Sequence, residues 1–446
     1  MVRARHSRSL PGPGVWALLS SGAAAAVTVG ATTLLAAPAE QQATFRSAVD
    51  LIAVDVQVVD DDGRPVVRLG PDDFEVSIDG RRRRVVSADY VESVPLHQIP
   101  AIASRPSARN IWPTDVPPGP PVPAGAPRLF MVATDAESLG IGTARRIMEA
   151  ARSFLDRLQP NDLVGLFTYP TGPVVNPTTD HLTVARGLTN TIGLRAQLPN
   201  RYNLSPSEII DIMADVAASP ANLPTESNMF SGAETTEAIG RVQQRECPDD
   251  VTCPLKIRQE AADLALHYEG VATQSMSSLR RLISALGQVP GRKTLVLLSG
   301  GFIVGDRPGG RPDVGQLASV MGLEAARANT AMYVLHVDTS FLDMYSADTG
   351  RADSFTSSRD TMVSRSWLDE FSSSSGGTLF RITSGAGEYA FDRVLRETSA
   401  YYLLGVEPAE SDRDGRAHTL KVRVNRRGDM TVRNRTVVVI PERPSA

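Results

Sequence analysis

Two cysteines, Cys247 and Cys253, are the only ones in the chain, and they bracket the short stretch Cys-Pro-Asp-Asp-Val-Thr-Cys. A close pair suits a local disulfide in an oxidising compartment. Two thiolates fall short of the four ligands of a closed zinc site. The spacing also differs from the Cys-x-x-Cys of a redox enzyme. Asp249 and Asp250 inside the loop read as solvated acids rather than cation ligands. Nucleophile and acid–base patterns are missing. The sequence has no Gly-x-Ser-x-Gly elbow, no His-Glu-x-x-His and no phosphate-binding glycine loop. Ser299-Gly300-Gly301 follows an apolar run, which resembles an elbow on one side only. His336 lies inside an apolar run and reads as a buried histidine, and His181, His267 and His418 stand in unrelated contexts. Scattered carboxylates do not establish the facing pair that a glycosidase needs. The reading is a protein that binds rather than catalyses.

The elements around these residues change character along the chain. Asp50–Asp60 alternates apolar and polar residues, the period of a half-buried strand. Asp61-Asp62-Gly63-Arg64-Pro65 is a turn, and Asp73–Asp79 alternates again. Asp79-Gly80 predicts a hairpin into a return strand ending near Val91. The Arg81–Arg84 run would suggest an anionic partner, but alternate strand residues face opposite ways, so a solvated strand is the default. From Ile99 to Pro127 the chain is rich in Pro, Ala and Gly, with Pro117–Pro123 a polyproline-like linker.

Beyond the linker, strands and helices alternate. Arg128–Thr134, Leu163–Thr168, Lys293–Ser299 and Ala331–Val337 are short apolar runs, as expected of strands buried on both faces. Helices are predicted at about Thr143–Leu158, Leu255–Leu286, Gln316–Asn329, Thr361–Ser373 and Glu388–Glu397. Such alternation implies an α/β fold with a mostly parallel sheet flanked by helices. Between Asn190 and Asp250 the pattern breaks, and an insertion with a helix at Glu208–Ala217 is predicted. The tail returns to strands at Tyr401–Val406, His418–Val424 and Met430–Val439. It is expected to pack with the N-terminal β unit, because each alone would leave exposed edges.

Length and composition bound the rest. The chain has 446 residues, enough for two or three domains, with 42% hydrophobic and 22% charged residues. A formal net charge of -4 argues against nucleic acid as a partner, and 5% aromatics argue against a stacking groove. Arg3, Arg5, His6 and Arg8 precede an apolar, small-residue run from Val15 to Ala37, and Ala37-Pro38-Ala39 reads as a cleavage site. This is the pattern of a secretory signal peptide, which predicts a secreted, periplasmic or cell-envelope protein with no stable membrane span after cleavage. The expected organisation is a signal at 1–39, a β unit at 44–95, a linker at 96–127, an α/β domain at 128–399 with an insertion at about 190–250, and a C-terminal β segment at 400–441.

The order of these segments resembles the VWFA-related domain family of acidobacterial type, a group of von Willebrand factor type A-like proteins. The resemblance is carried by Val54–Pro65 with Leu69–Gly80, by Gly291-Arg-Lys-Thr-Leu-Val-Leu-Leu-Ser-Gly-Gly301, by Ser375-Gly-Gly-Thr-Leu-Phe380, and by Tyr401–Pro408 with Val422–Arg433. It implies a type A-like doubly wound sheet with a β domain made from both chain ends. It also implies a divalent cation, Mg²⁺ or Ca²⁺, held through oxygen at the carboxyl edge of the sheet, where an acidic side chain of a protein partner completes the coordination. The family pattern is Asp-x-Ser-x-Ser after the first strand, a Thr in a later loop and an Asp after the fourth strand. Asp135 matches the first position. Glu137 and Leu139 stand where Ser is wanted, and Ser138 is out of register. Thr235 or Thr236 supplies the loop threonine, and Ser299 replaces the last Asp. Asp338 is a further carboxylate at the same edge. The expectation is a degenerate adhesion site at Asp135, Glu137, Thr235 and Ser299 that binds metal weakly or not at all. The alternative is a metal-independent structural or assembly protein of the cell envelope.

Overall fold

The computed structural model of the protein describes residues 51–93, 127–196, 198–218, 236–338, 354–383, 387–426 and 428–442. The segment 1–39, nearly all of the linker 96–127 and Thr235 lie outside the described residues. The fold is mixed α/β, with two sheets.

The first strands are β1 (Ile52–Val59), β2 (Phe74–Ile78) and β3 (Arg81–Glu92). The α/β part follows with β4 (Leu129–Asp135), α1 (Ile141–Leu155), β5 (Leu163–Tyr169), β6 (Val174–Thr178) and α2 (His181–Thr189). Next come α3 (Pro206–Ala218), α4 (Glu237–Glu246), α5 (Cys253–Gly287) and β7 (Lys293–Ser299). Then α6 (Gly315–Arg327), β8 (Thr330–Val337), α7 (Ser354–Ser375), β9 (Thr378–Ile382) and α8 (Glu388–Glu397) complete that part. The tail is β10 (Ala400–Glu407), β11 (Ala417–Val424), β12 (Thr431–Arg433) and β13 (Val437–Val439).

The six-stranded sheet has the order β6-β5-β4-β7-β8-β9, parallel except for β6 at one edge. Continuous apolar runs form its centre because both faces are covered. In β4, Leu129, Met131 and Ala133 enter one core with α5, α6 and α7, while Phe130 and Val132 enter another with α1, α2 and α8. β6 and α2 were not among the predicted elements. Pro173 and Pro177 obscure any strand pattern there, and β6 needs only one neighbour because it is an edge.

α5 serves two bodies. Its first half, from Cys253 through Ile257, Ala261 and Leu264, packs with α3 and α4 in a separate apolar cluster. Its second half, Ala272, Met276, Leu279, Leu282, Ile283 and Leu286, covers the sheet. Both stretches show the three-and-four spacing of one helix face. The helical body formed by the segment read as an insertion, about 190–250, thus extends into the first half of this helix.

The seven-stranded sheet has the order β12-β1-β10-β3-β2-β11-β13, so strands from both ends of the described chain interleave. The single strand predicted over Met430–Val439 is corrected to two. β12 pairs with β1 at one edge, and β13 pairs with β11 at the other. Three residues join them and reach ~14 Å at most, whereas a flat seven-stranded sheet would set its edges ~29 Å apart. The sheet must therefore curl, and it does so around Val54, Val56, Phe74, Ile78, Tyr402, Leu404 and Leu420.

A buried polar junction joins the two sheets. The Tyr333 hydroxyl donates to Gln57 Oε1 at 2.9 Å, and Gln57 Nε2 donates to the Glu397 carbonyl at 2.8 Å. The Glu397 carboxylate, itself buried, is held by Arg393 at 2.8 Å and Arg433 at 3.1 Å. Its two guanidinium partners satisfy a charge that would be costly alone.

Candidate functional site

β4 delivers Asp135 to the carboxyl end of the parallel sheet, directly beside Tyr169 of β5. On its other side β7 runs in register, with Thr134 opposite Leu298, which sets Ser299 next to Asp135. Ser299 in turn lies opposite His336 of β8. Paired residues of parallel strands share a face, so Tyr169, Asp135, Ser299 and His336 form one polar row across four strands. All four are buried.

Asp135 is the centre of this row. Its Oδ1 accepts from the Ser275 hydroxyl at 3.1 Å, and its Oδ2 accepts from the Ser299 hydroxyl at 3.1 Å. The Ser138 hydroxyl donates to the Asp135 main-chain carbonyl at 2.9 Å and lies 3.3 Å from Ser299 Oγ. Backbone amides then close the network, Gly300 N–H donating to Ser138 Oγ at 2.8 Å and Gly301 N–H to Ser299 Oγ at 3.0 Å. Burial pushes the Asp135 carboxyl up to about 6, against the lowering effect of the three serines. Burial also raises the neighbouring Tyr169 phenol, and the Asp135 charge adds to that. Among the described residues the Tyr169 hydroxyl has no hydrogen-bond partner.

Ser299-Gly300-Gly301 has a packing explanation. A Cβ on Gly300 would lie 2.3 Å from the Ser138 carbonyl oxygen, so the turn after β7 can only approach the turn after β4 as glycine. Ser299 points its hydroxyl at a carboxylate and not at His336. His336 Nε2 lies 3.2 Å from the Gly300 carbonyl, and burial lowers its pKa to about 4. The neutral ring therefore donates from Nε2, and its buried Nδ1 has no hydrogen-bond partner among the described residues.

The expected set is only partly gathered. Asp135 and Ser299 are hydrogen-bonded. Glu137 sits in the turn after β4, and its Oε2 is buried with no hydrogen-bond partner among the described residues. Thr236 caps α4, accepting from Ile239 N–H at 3.4 Å. Asp338, at the end of β8, is ion-paired with Arg381. Asp250 accepts from Thr252 and Lys256, contacts that draw its pKa down to about 2. Ser138 enters the cluster despite its sequence register, because a 3-10 turn at Ala136–Ser138 brings it back over the strand end. Ser275 and Tyr169 were not anticipated. The signal for Ser275 is a hydroxyl interrupting the apolar stripe of α5 between Ala272 and Leu279.

Among the described residues the carboxylate of the expected cation site already has its oxygens engaged. Divalent cations gather several charged or carbonyl oxygens, whereas here one carboxylate has both oxygens engaged by hydroxyls. Among the described residues no group of three His, Cys, Asp or Glu side chains converges on a point. Asp135, Ser138, Ser275 and Ser299 are joined to one another by hydrogen bonds.

The edge around this network is apolar where it meets solvent. The main chain after α2 is laced to the turn after β4, Leu194 N–H donating to the Ala136 carbonyl at 2.7 Å and Arg195 N–H to the Leu139 carbonyl at 3.1 Å. This brings Ile192 and Leu194 to the start of α1, where Ile141 is 74% exposed; Ile192 is 60% and Leu194 44% exposed. The pair Cys247–Cys253 forms a disulfide joining the end of α4 to the start of α5. Among the described residues no helix is long and apolar enough to cross a membrane.

No family model and no curated protein matches the chain.

Proposed function

We propose that this chain is an exported protein-binding module of the von Willebrand type A-like kind, which recognises its partner at the carboxyl edge of the parallel sheet. The observation that carries this reading is the trio Ile141, Ile192 and Leu194, three large apolar side chains left in solvent at the start of α1 and on the segment after α2, which hydrogen-bonds to the turn before α1. Ligands of open α/β sheets bind at this edge. Clustered exposed apolar groups mark contact sites. The signal-like N-terminus and the disulfide support an oxidising, exported setting. The hydroxyl-satisfied Asp135 supports recognition through apolar contact rather than through a shared cation. It equally favours the alternative, a metal-independent assembly protein of the envelope, whose docking would use the curled β sheet.

The experiment is affinity capture from an envelope fraction with the wild-type chain and with Ile141→Glu/Ile192→Glu. A partner captured by wild type and lost from the variant supports the edge, and equal capture by both sinks it. Thermal melting in EDTA and then in millimolar Mg²⁺ or Ca²⁺ tests the cation separately. A metal that binds only the folded state raises the melting temperature, so a rise would restore metal-dependent recognition.

A further inference from the structure

The Arg81–Arg84 run does not act as a unit. Arg83 turns inward, where its guanidinium forms a two-point ion pair with Asp412, both contacts at 2.6 Å. Arg82 and Arg84 turn outward. Across the sheet, Ser77 of β2 lies opposite both Arg82 of β3 and Lys421 of β11, and Glu75 lies opposite Arg423. The alternating residues Val76 and Val422 belong to the core, which confirms that Lys421 and Arg423 share the outer face with Arg82 and Arg84. All four cations are exposed. Two acids belong to this block: Glu75, paired with Arg82 at 2.6 Å, and Glu407, opposite Arg84 on β10. Among the described residues Arg84, Lys421 and Arg423 make no ion pair.

Strand geometry spaces these charges ~10 Å apart across two strands and ~7 Å apart along one. They form a shallow two-dimensional array on a sheet face rather than a groove. We propose that this face docks on an acidic phospholipid surface. An array spread over three strands matches headgroups spread in two dimensions, whereas a single anionic polymer would engage one row. The lipid source rests on the export reading, which sets the mature chain beside an envelope membrane. The exposed apolar side chains Leu51, which approaches Gly405 of β10, and Val86, two residues along β3 from Arg84, lie at the border of the array.

The test is co-sedimentation of the full chain with phosphatidylglycerol vesicles and with phosphatidylcholine vesicles, at low and high salt. Each basic residue near an acidic bilayer is worth ~1 kcal/mol, about fivefold in affinity. Binding should require phosphatidylglycerol, weaken with salt, and fall roughly a hundredfold in Arg84→Gln/Lys421→Gln/Arg423→Gln. Arg84→Lys/Arg423→Lys should retain it. A melting curve for each variant separates lost charge from lost fold. Equal binding to neutral vesicles, unchanged binding of a folded triple-Gln variant, or binding to soluble polyphosphate without binding to the acidic vesicles would overturn the proposal. The edge residues Ile141 and Ile192 are untouched, so this test and the capture experiment fail independently.

Discussion

Ser275 of α5 donates its hydroxyl to Asp135 Oδ1 at 3.1 Å, bridging the helix layer and the carboxyl end of β4 across 140 residues of sequence. The bond matters because both groups are buried. Removing Asp135 strands two serine hydroxyls, and each unsatisfied buried group costs ~1–3 kcal/mol. Asp135→Ala should therefore destabilise the fold by ~2–4 kcal/mol in urea unfolding, and Ser275→Ala by ~1 kcal/mol. Because each serine serves a different carboxylate oxygen, Ser275→Ala and Ser299→Ala should each leave a partial effect. A neutral Asp135→Ala would show that the network is not built as described.

The same relationship shows what was legible beforehand. The apolar run Lys293–Ser299 marks β7 from end to end, because a strand buried on both faces is apolar throughout. Asp135 and Ser299 were picked out by their position at strand ends. Ser275 was not, because pairing between a helix and a strand 140 residues away leaves no local period. Ser138 was set aside on spacing, since a tight turn changes which residue returns to the strand end. The β12–β13 segment looked like one strand because Val437–Val439 and Thr431–Arg433 are each β-prone. Only the curl of the sheet separates them.

His418 sets a pH dependence. Its Nδ1 lies 2.8 Å from Asp79 and its Nε2 2.9 Å from Asp414, and the hydrogen bond to Asp79 is the main cause of its raised pKa. A raised histidine contributes stability that is complete below its unfolded value of 6.5 and is lost as pH rises through the folded value. The two acids are lowered, so their share is present above 3.8 and is lost as pH falls through their folded values. The melting temperature should thus decline on the alkaline side of 6.5. In His418→Gln that decline should flatten, and a variant with the wild-type slope would remove His418 as its source.

Asp211 holds the helical lobe to the sheet. It accepts from Arg307 at 2.6 Å and from Arg359 at 2.8 Å, joining α3 to the loop after β7 and to α7. The arginines are partly solvated, which discounts the pairs, yet the carboxylate is nearly buried and its loss takes a shared partner from three cations, Arg307, Arg359 and Arg241. Asp211→Ala should cost ~1–3 kcal/mol. The loss should appear first as faster limited proteolysis in α3, with the parallel sheet still protected. Uniform loss of protection across both bodies would argue against a local clasp.

The Cys247–Cys253 disulfide should stabilise the same lobe by a different route. It closes a short loop, for which chain-entropy arguments give ~2 kcal/mol. Cys253 is fully buried against Ile257 and the α3–α4 cluster, so its serine replacement also places a hydroxyl in an apolar site. Reduction of the wild type and Cys247→Ala/Cys253→Ala should both loosen α4 and the first turns of α5. Hydrogen exchange would read this as lost protection around Ile239 and Ile257. The second half of α5, clamped on the sheet by Leu279, Leu282 and Leu286, should keep its protection. Exchange spreading evenly along all of α5 would mean that the helix unfolds as one unit and that the lobe has no stability of its own.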